Sequence, residues 1–136
     1  MPQPSAGLIR SVPLFSELDD KTVGRLASEF IERHFDAGTA IATEGVDGLN
    51  FFIVASGEAT VSVRGTTVAT LGPGSSFGEV ALVDRAARTA TVTAATPMVA
   101  YALPIWSFRP FVEQRPELAW KLLEILAERL RSVQLR

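Results

Sequence analysis

Eight of the ten glycines fall between Gly38 and Gly78, at 38, 45, 48, 57, 65, 72, 74 and 78, and none follows. Glycine adopts positive φ at little cost, so a cluster of this density marks repeated tight turns. The segments between them, FFIVAS, ATVSV and TVATL, are too short for helices and rich in β-branched or aromatic residues. They read as short strands. Ala59–Val63 alternates apolar and small polar residues with period two, which buries one face. Arg64-Gly65 then supplies a hairpin turn into Thr66–Leu71. Beyond Gly78 the strands continue without glycine, over Thr89–Ala95 and, after a turn at Pro97, Met98–Leu103.

Helical patterns lie at the two ends. Asp19 or Asp20 can cap a helix over Lys21–Ile31, whose Val23, Leu26, Ala27 and Phe30 recur at three- and four-residue spacing. Pro104 opens a short helix through Val112, and Pro116 starts a long helix to the C-terminus, a position that proline favours. The long helix carries Ala119, Leu123, Leu126, Leu130 and Val133 at 4-3-4-3 spacing, with Leu118, Leu122 and Ile125 beside them. That stripe is wider than packing on one surface requires, leaving room for a partner helix or a lid over a ligand. The expected fold is mainly β: an eight-stranded antiparallel jelly-roll barrel with an N-terminal helix, a short helix in the barrel wall and a long C-terminal helix. One domain spans 1–136, with the N-terminal helix at 19–31, the β-roll at 32–104 and the C-terminal helices at 105–135.

The chain has 136 residues, enough for one sizeable core, and a net charge of −2. A nucleic-acid surface would ordinarily be basic, so this domain alone is not expected to bind nucleic acid. The longest apolar runs are only a few residues, which argues against a membrane span, and residues 1–13 lack the apolar core of a secretory signal. The absence of cysteine removes disulfides, thiolate metal sites and cysteine nucleophiles, and fits the cytoplasm. The single histidine, His34, is thin material for a metal centre even with Glu32 and Asp36 nearby. It reads as a strand-edge residue, and neither a catalytic residue nor a metal site is expected.

The stretch FGEVALVDRAARTATV at 77–92 places one carboxylate and one arginine in apolar surroundings. Opposite charges there need each other or a ligand. Gly78 permits a sharp turn, and a helical turn over Glu79–Leu82 would present unpaired backbone N–H groups, an anion site. Arg88 adds a planar fork suited to phosphate oxygens. Between Gly38 and Asp84 the one other basic residue is Arg64, at the hairpin turn. Glu79 would repel a phosphate, unless the same ligand also presents hydroxyls for a carboxylate to accept from. Phosphate plus ribose hydroxyl satisfies both residues.

FGEVAL, a five-residue loop and RTATV together resemble the phosphate-binding cassette of the cyclic nucleotide-binding domain family, without a gap. The likeness covers nearly the whole chain: VPLFSEL at 12–18 is similar to the family's entry to its first helix, FFIVASGEATV at 51–61 to its central hairpin, and LGPGSSFGE at 71–79 to the approach to the cassette. The resemblance implies that Glu79 accepts from the ribose 2′-hydroxyl and Arg88 pairs with the phosphate. Backbone amides near Gly78, Val80, Ala81 and Thr89 would complete the phosphate cradle. Val61 and Val68 would wall the purine, and Val133 and Gln134 on the long helix would cover it. Ala87 stands where many members have proline just before the arginine, which loosens that loop without removing a ligand contact. Thr89 resembles the cGMP-responsive members, although a β-branched strand residue is an equally ordinary reading. The expected ligand is cAMP, with cGMP as the alternative, and no further cofactor is called for.

The function that follows is a non-enzymatic sensor in which ligand binding moves the C-terminal helix, with a homodimer formed through that helix. The alternatives are a ligand-free structural or dimerisation domain, with Glu79 and Arg88 simply paired to each other, and the sensor half of a transcription regulator. An enzyme of the cupin type on a similar barrel is disfavoured by the single histidine.

Overall fold

The computed structural model describes residues 3–43, 45, 49–79 and 90–134, the last two by their backbone alone. Helix α1 spans Ala6–Arg10, capped by the Ser5 hydroxyl accepting from the Leu8 amide, and a 3-10 turn follows at Pro13–Phe15. Helix α2 spans Asp20–Ala27, and the Asp19 side chain accepts from the Thr22 amide at 2.7 Å. Bonding to the Thr22 side chain holds the Asp19 carboxyl below its ordinary pKa, and the bond from the Thr22 amide adds to the effect. The helix is shorter than the 21–31 expected. The chain leaves it at Ser28, and Ile31 begins a strand. Phe30 is nonetheless buried with Val23 and Leu26, which is why its spacing looked helical.

Eight strands are present among the described residues: β1 Ile31–Phe35, β2 Ala40–Ala42, β3 Asn50–Ser56, β4 Ala59–Val63, β5 Thr66–Leu71, β6 Ser76–Phe77, β7 Thr91–Ala94 and β8 Met98–Pro104. They form two antiparallel four-stranded sheets, ordered β1-β8-β3-β6 and β2-β7-β4-β5, in a jelly-roll-like arrangement. Arg64 and Gly65 both have positive φ, 50° and 81°, the type I′ geometry that suits the twist of β4 and β5. Gly57 is needed for another reason: at φ 82°, a Cβ there would lie 2.6 Å from Met98 Cβ and against the Pro97 carbonyl. Helices α3, Ile105–Glu113, and α4, Pro116–Gln134, close the chain.

The β3 and β8 sequences are nearly continuous in apolar residues because both faces of their sheet are covered. Alternation divides them between two cores. Phe52, Val54, Met98, Ala100 and Ala102 pack inside the barrel with Phe77, Val92 and Ala94. Phe51, Ile53 and Leu103 point the other way, against Ile9, Phe15, Leu26, Phe108 and Leu122 of the helical layer. Phe15 sits between Phe51 and Phe108 in edge-on contacts at 6.0 and 6.5 Å. The first sheet is thus a wall with the barrel on one side and helices on the other.

Helix α4 docks through Leu118 and Leu122, which are buried, with Ile125 and Leu126 partly buried against the same helical core. Leu123 and Leu130, from the 4-3-4-3 stripe, are 55% and 58% exposed. The stripe therefore divides, its inward half packing on this domain and its outward half facing away. No helix among the described residues is long and apolar enough to cross a membrane.

Candidate functional site

Strand β6 positions the start of the 77–92 stretch. Phe52 pairs with Phe77 across the strands, and their rings stack at 5.0 Å in the barrel core. The Val54 amide donates to the Ser75 carbonyl, and the Gly74 amide to the Val54 carbonyl, at 2.8 and 2.9 Å. These bonds tie the LGPGSS approach to the centre of the sheet. Gly78 follows with φ 94°, a conformation that glycine takes most readily. The chain turns there, so that Phe77 enters the barrel while Glu79 goes to the helical side.

Glu79 is one of two buried polar or charged residues among those described, the other being Thr22. It lines a small cavity of about 40 Å³ with Val12, Leu14, Phe51, Ser76, Leu122 and Ile125. The Arg129 guanidinium meets its carboxylate in an ion pair in which the glutamate side chain is 11% exposed and the arginine 57%. Arg129 lies on the inward face of α4, four residues past Ile125 and seven past Leu122, where one more apolar residue would continue the row. Charged positions on a long helix usually face water, so the pattern of apolar residues alone passes over it. The signal was the position of Arg129 in the inward row.

The other expected site residues are placed unevenly. Val61 on β4 is half-buried against the barrel core, paired with Ala69 and Val92. Val68 is the extra residue of a β-bulge in β5, where pairing passes from Val61–Ala69 to Ser62–Thr67, and it is 59% exposed. The two valines are thus neighbours across one strand pair, whereas Glu79 lies in the other layer, beyond the first sheet. Val80, Ala81, Arg88 and Thr89 lie outside the described residues, as do the short helical turn expected over 79–82 and the side chains of Val133 and Gln134. Helix α4 carries its backbone through Gln134. His34 lies on β1 at the edge of its sheet, 70% exposed and 3.6 Å from a Glu32 oxygen. Among the described residues no three His, Cys, Asp or Glu side chains gather as a metal ion would require.

A larger apolar groove of about 380 Å³ runs between α3 and α4, lined by Phe108, Val112, Ala119, Leu122, Leu123 and Leu126, with Arg109 and Glu113 at its rim. It opens on the outward half of the α4 stripe.

Comparison with known proteins agrees with this architecture. Residues 32–115 match the cyclic nucleotide-binding domain family. The chain is 36% identical over 115 residues to glutaminase 2 of Bradyrhizobium diazoefficiens, covering 84% of this chain and 18% of that protein. It is 43% identical over 94 residues to the cAMP-dependent protein kinase regulatory subunit of Yarrowia lipolytica, covering 68% of this chain and 25% of that one. The chain therefore spans a quarter or less of these relatives' lengths. Among solved structures, the catabolite activator protein of Thermus thermophilus superposes with a TM-score of 0.81 at 33% identity, over 90% of this chain and 60% of that one. Profile, relatives and superposition agree that the chain belongs to the cyclic nucleotide-binding domain family.

Proposed function

We propose that this domain is a non-enzymatic cytoplasmic sensor of a cyclic nucleotide, with cAMP as its ligand and cGMP as the nearest competitor. The observation that carries the reading is the cassette FGEVALVDRAARTATV, intact at 77–92 and launched by a turn at Gly78 with a buried carboxylate directly after it. In this reading Arg88 and the amides of Gly78, Val80, Ala81 and Thr89 hold the phosphate, and Glu79 accepts from the ribose 2′-hydroxyl. Val61 and Val68 flank the base, and Val133 and Gln134 close over it. The name of the Yarrowia relative, a cAMP-dependent regulatory subunit, supports the choice of purine.

Occupancy leaves the domain through α4, whose docking surface and outward stripe would be coupled by any shift of the helix. The exposed Leu123, which lines the α3–α4 groove, and the exposed Leu130 farther along α4 support a homodimer through this helix. Leu123→Glu and Leu130→Glu should lower the mass measured by sedimentation to that of one chain if the helices meet.

The ligand contacts are tested by substitution. Arg88→Ala should weaken cAMP binding by about 2–5 kcal/mol while the domain stays folded, because it removes a partly desolvated charge pair. Binding within a few-fold of the parent would remove Arg88 from the site. The Glu79–Arg129 pair favours a second reading, a ligand-free domain in which Glu79 is a structural residue. The 2′-deoxy analogue of cAMP separates the two readings. Weaker binding than cAMP, with the gap narrowed by Glu79→Gln, supports the ribose contact, and equal binding excludes it.

A further inference from the structure

The ion pair between Glu79 and Arg129 joins the proposed ribose acceptor to the C-terminal half of α4. We propose that Arg129 is a latch: it holds Glu79 on the helical side of the sheet in the unliganded domain, and a cyclic nucleotide must take the carboxylate away from it. The proposal rests on the reading of Glu79 as the ribose acceptor. Three observations carry it.

The first is position. Glu79 lies in a cavity with Leu14, Phe51, Leu122 and Ile125, whereas Val61 packs on the barrel side of the same wall. A carboxylate held there is turned away from a ligand flanked by Val61. The second is environment. The cavity lining is mostly apolar, so once Arg129 is withdrawn the glutamate is left as a buried charge without compensation. Such a carboxylate is driven outward, where a sugar hydroxyl or water can reach it. The third is linkage to the helix. Arg129 shares its face with Leu118, Leu122 and Ile125, so the pair forms only while α4 is docked.

Ligand and helix therefore compete for one carboxylate. When a ribose hydroxyl takes Glu79, the end of α4 loses its anchor beside the sheet. The last turn of α4, beyond Arg129, is then free to move. Occupancy is converted into helix position by an exchange of partners at Glu79, with Arg129 as the residue that senses it.

The test uses the full chain. Affinity for cAMP is measured by calorimetry for the parent, Arg129→Ala and Arg129→Lys, and backbone hydrogen exchange in α4 is followed without ligand. A latch that leaves about a third to a tenth of the domain competent makes Arg129→Ala bind about 3- to 10-fold more tightly. Arg129→Lys stays near the parent, and the last turns of α4 exchange faster in Arg129→Ala. Weaker binding by Arg129→Ala overturns the proposal, since Arg129 would then touch the ligand. Unchanged affinity with unchanged exchange also overturns it, reducing the pair to a surface contact. If the parent binds neither cAMP nor cGMP, the ligand reading fails by itself. The part of the proposal that needs no ligand, the anchoring of α4 by the pair, is then judged by exchange alone: faster α4 exchange in both Arg129→Ala and Glu79→Gln sustains it, and slower or equal exchange in either refutes it.

Discussion

Leu122 and Leu123 are sequence neighbours on α4 with opposite fates, and replacing each by alanine tests how the helix is seated. Leu122 is 6% exposed and reaches into the helical core beside Phe51 and the Glu79 cavity. Leu123 is 55% exposed. Leu→Ala removes three carbons, and at about 0.8 kcal/mol per buried CH₂ the transfer contribution at Leu122 is roughly 2.4 kcal/mol. The cavity contribution should be small, because the α3–α4 groove already opens beside this side chain. Leu122→Ala should therefore cost about 2–3 kcal/mol, towards the low end for core leucines. Leu123→Ala should stay within about 0.5 kcal/mol in the monomer. Urea unfolding followed by circular dichroism at low micromolar concentration measures both. In thermal unfolding the first should lower Tm by roughly 6–15 °C. If Leu123→Ala cost as much as Leu122→Ala in a monomeric sample, the assignment of the inward face would be wrong. If its cost grew with protein concentration, the outward stripe would be an interface.

Gly57→Ala should destabilise by at least about 1 kcal/mol in the same unfolding assay, since a Cβ at φ 82° meets the Pro97 carbonyl and Met98. A change near zero would mean that the β3–β4 turn relaxes freely. The Asp19 cap makes a signed pH prediction. Its carboxyl pKa is lowered in the folded state, so the contribution is present above the ordinary carboxylate pKa and lost as pH falls through the folded value. Asp19→Asn should flatten that part of the stability profile measured between neutral and acid pH, and an unchanged slope would refute it. Arg10 and Asp20 form a solvent-exposed pair, 32% and 97% exposed. Asp20→Ala should leave the unfolding midpoint nearly unchanged, and a large loss would show a role beyond the pair.

Much of the β-roll was legible because its turns are written in glycine. Arg64-Gly65 fixes a hairpin by backbone conformation alone, and Pro104 and Pro116 mark helix starts through a missing N–H. Helix α1 was not legible. Five residues hold no repeat of the apolar spacing, and the helix exists because Ser5 caps it and Ile9 is buried in the helical core. The early end of α2 was hidden for the opposite reason. Phe30 keeps the apolar spacing of the helix while reaching the same core from the turn after it. Within the site, Glu79 was found from its apolar neighbours, but its side of the sheet depends on the turn at Gly78, which no spacing reveals. Arg129 escaped notice because an arginine on a long helix ordinarily faces water, whereas its place in the inward row depends on how α4 docks.

The central claim is that the domain binds a cyclic nucleotide at the 77–92 cassette. Calorimetric titration of the parent chain with cAMP, and separately with cGMP, tests it most directly. The account predicts one saturable site per chain, tighter for cAMP than for cGMP, and strongly weakened in Arg88→Ala. A folded parent protein that shows no saturable binding of either nucleotide would contradict it, leaving Glu79 and Arg129 as an ion pair of structure alone.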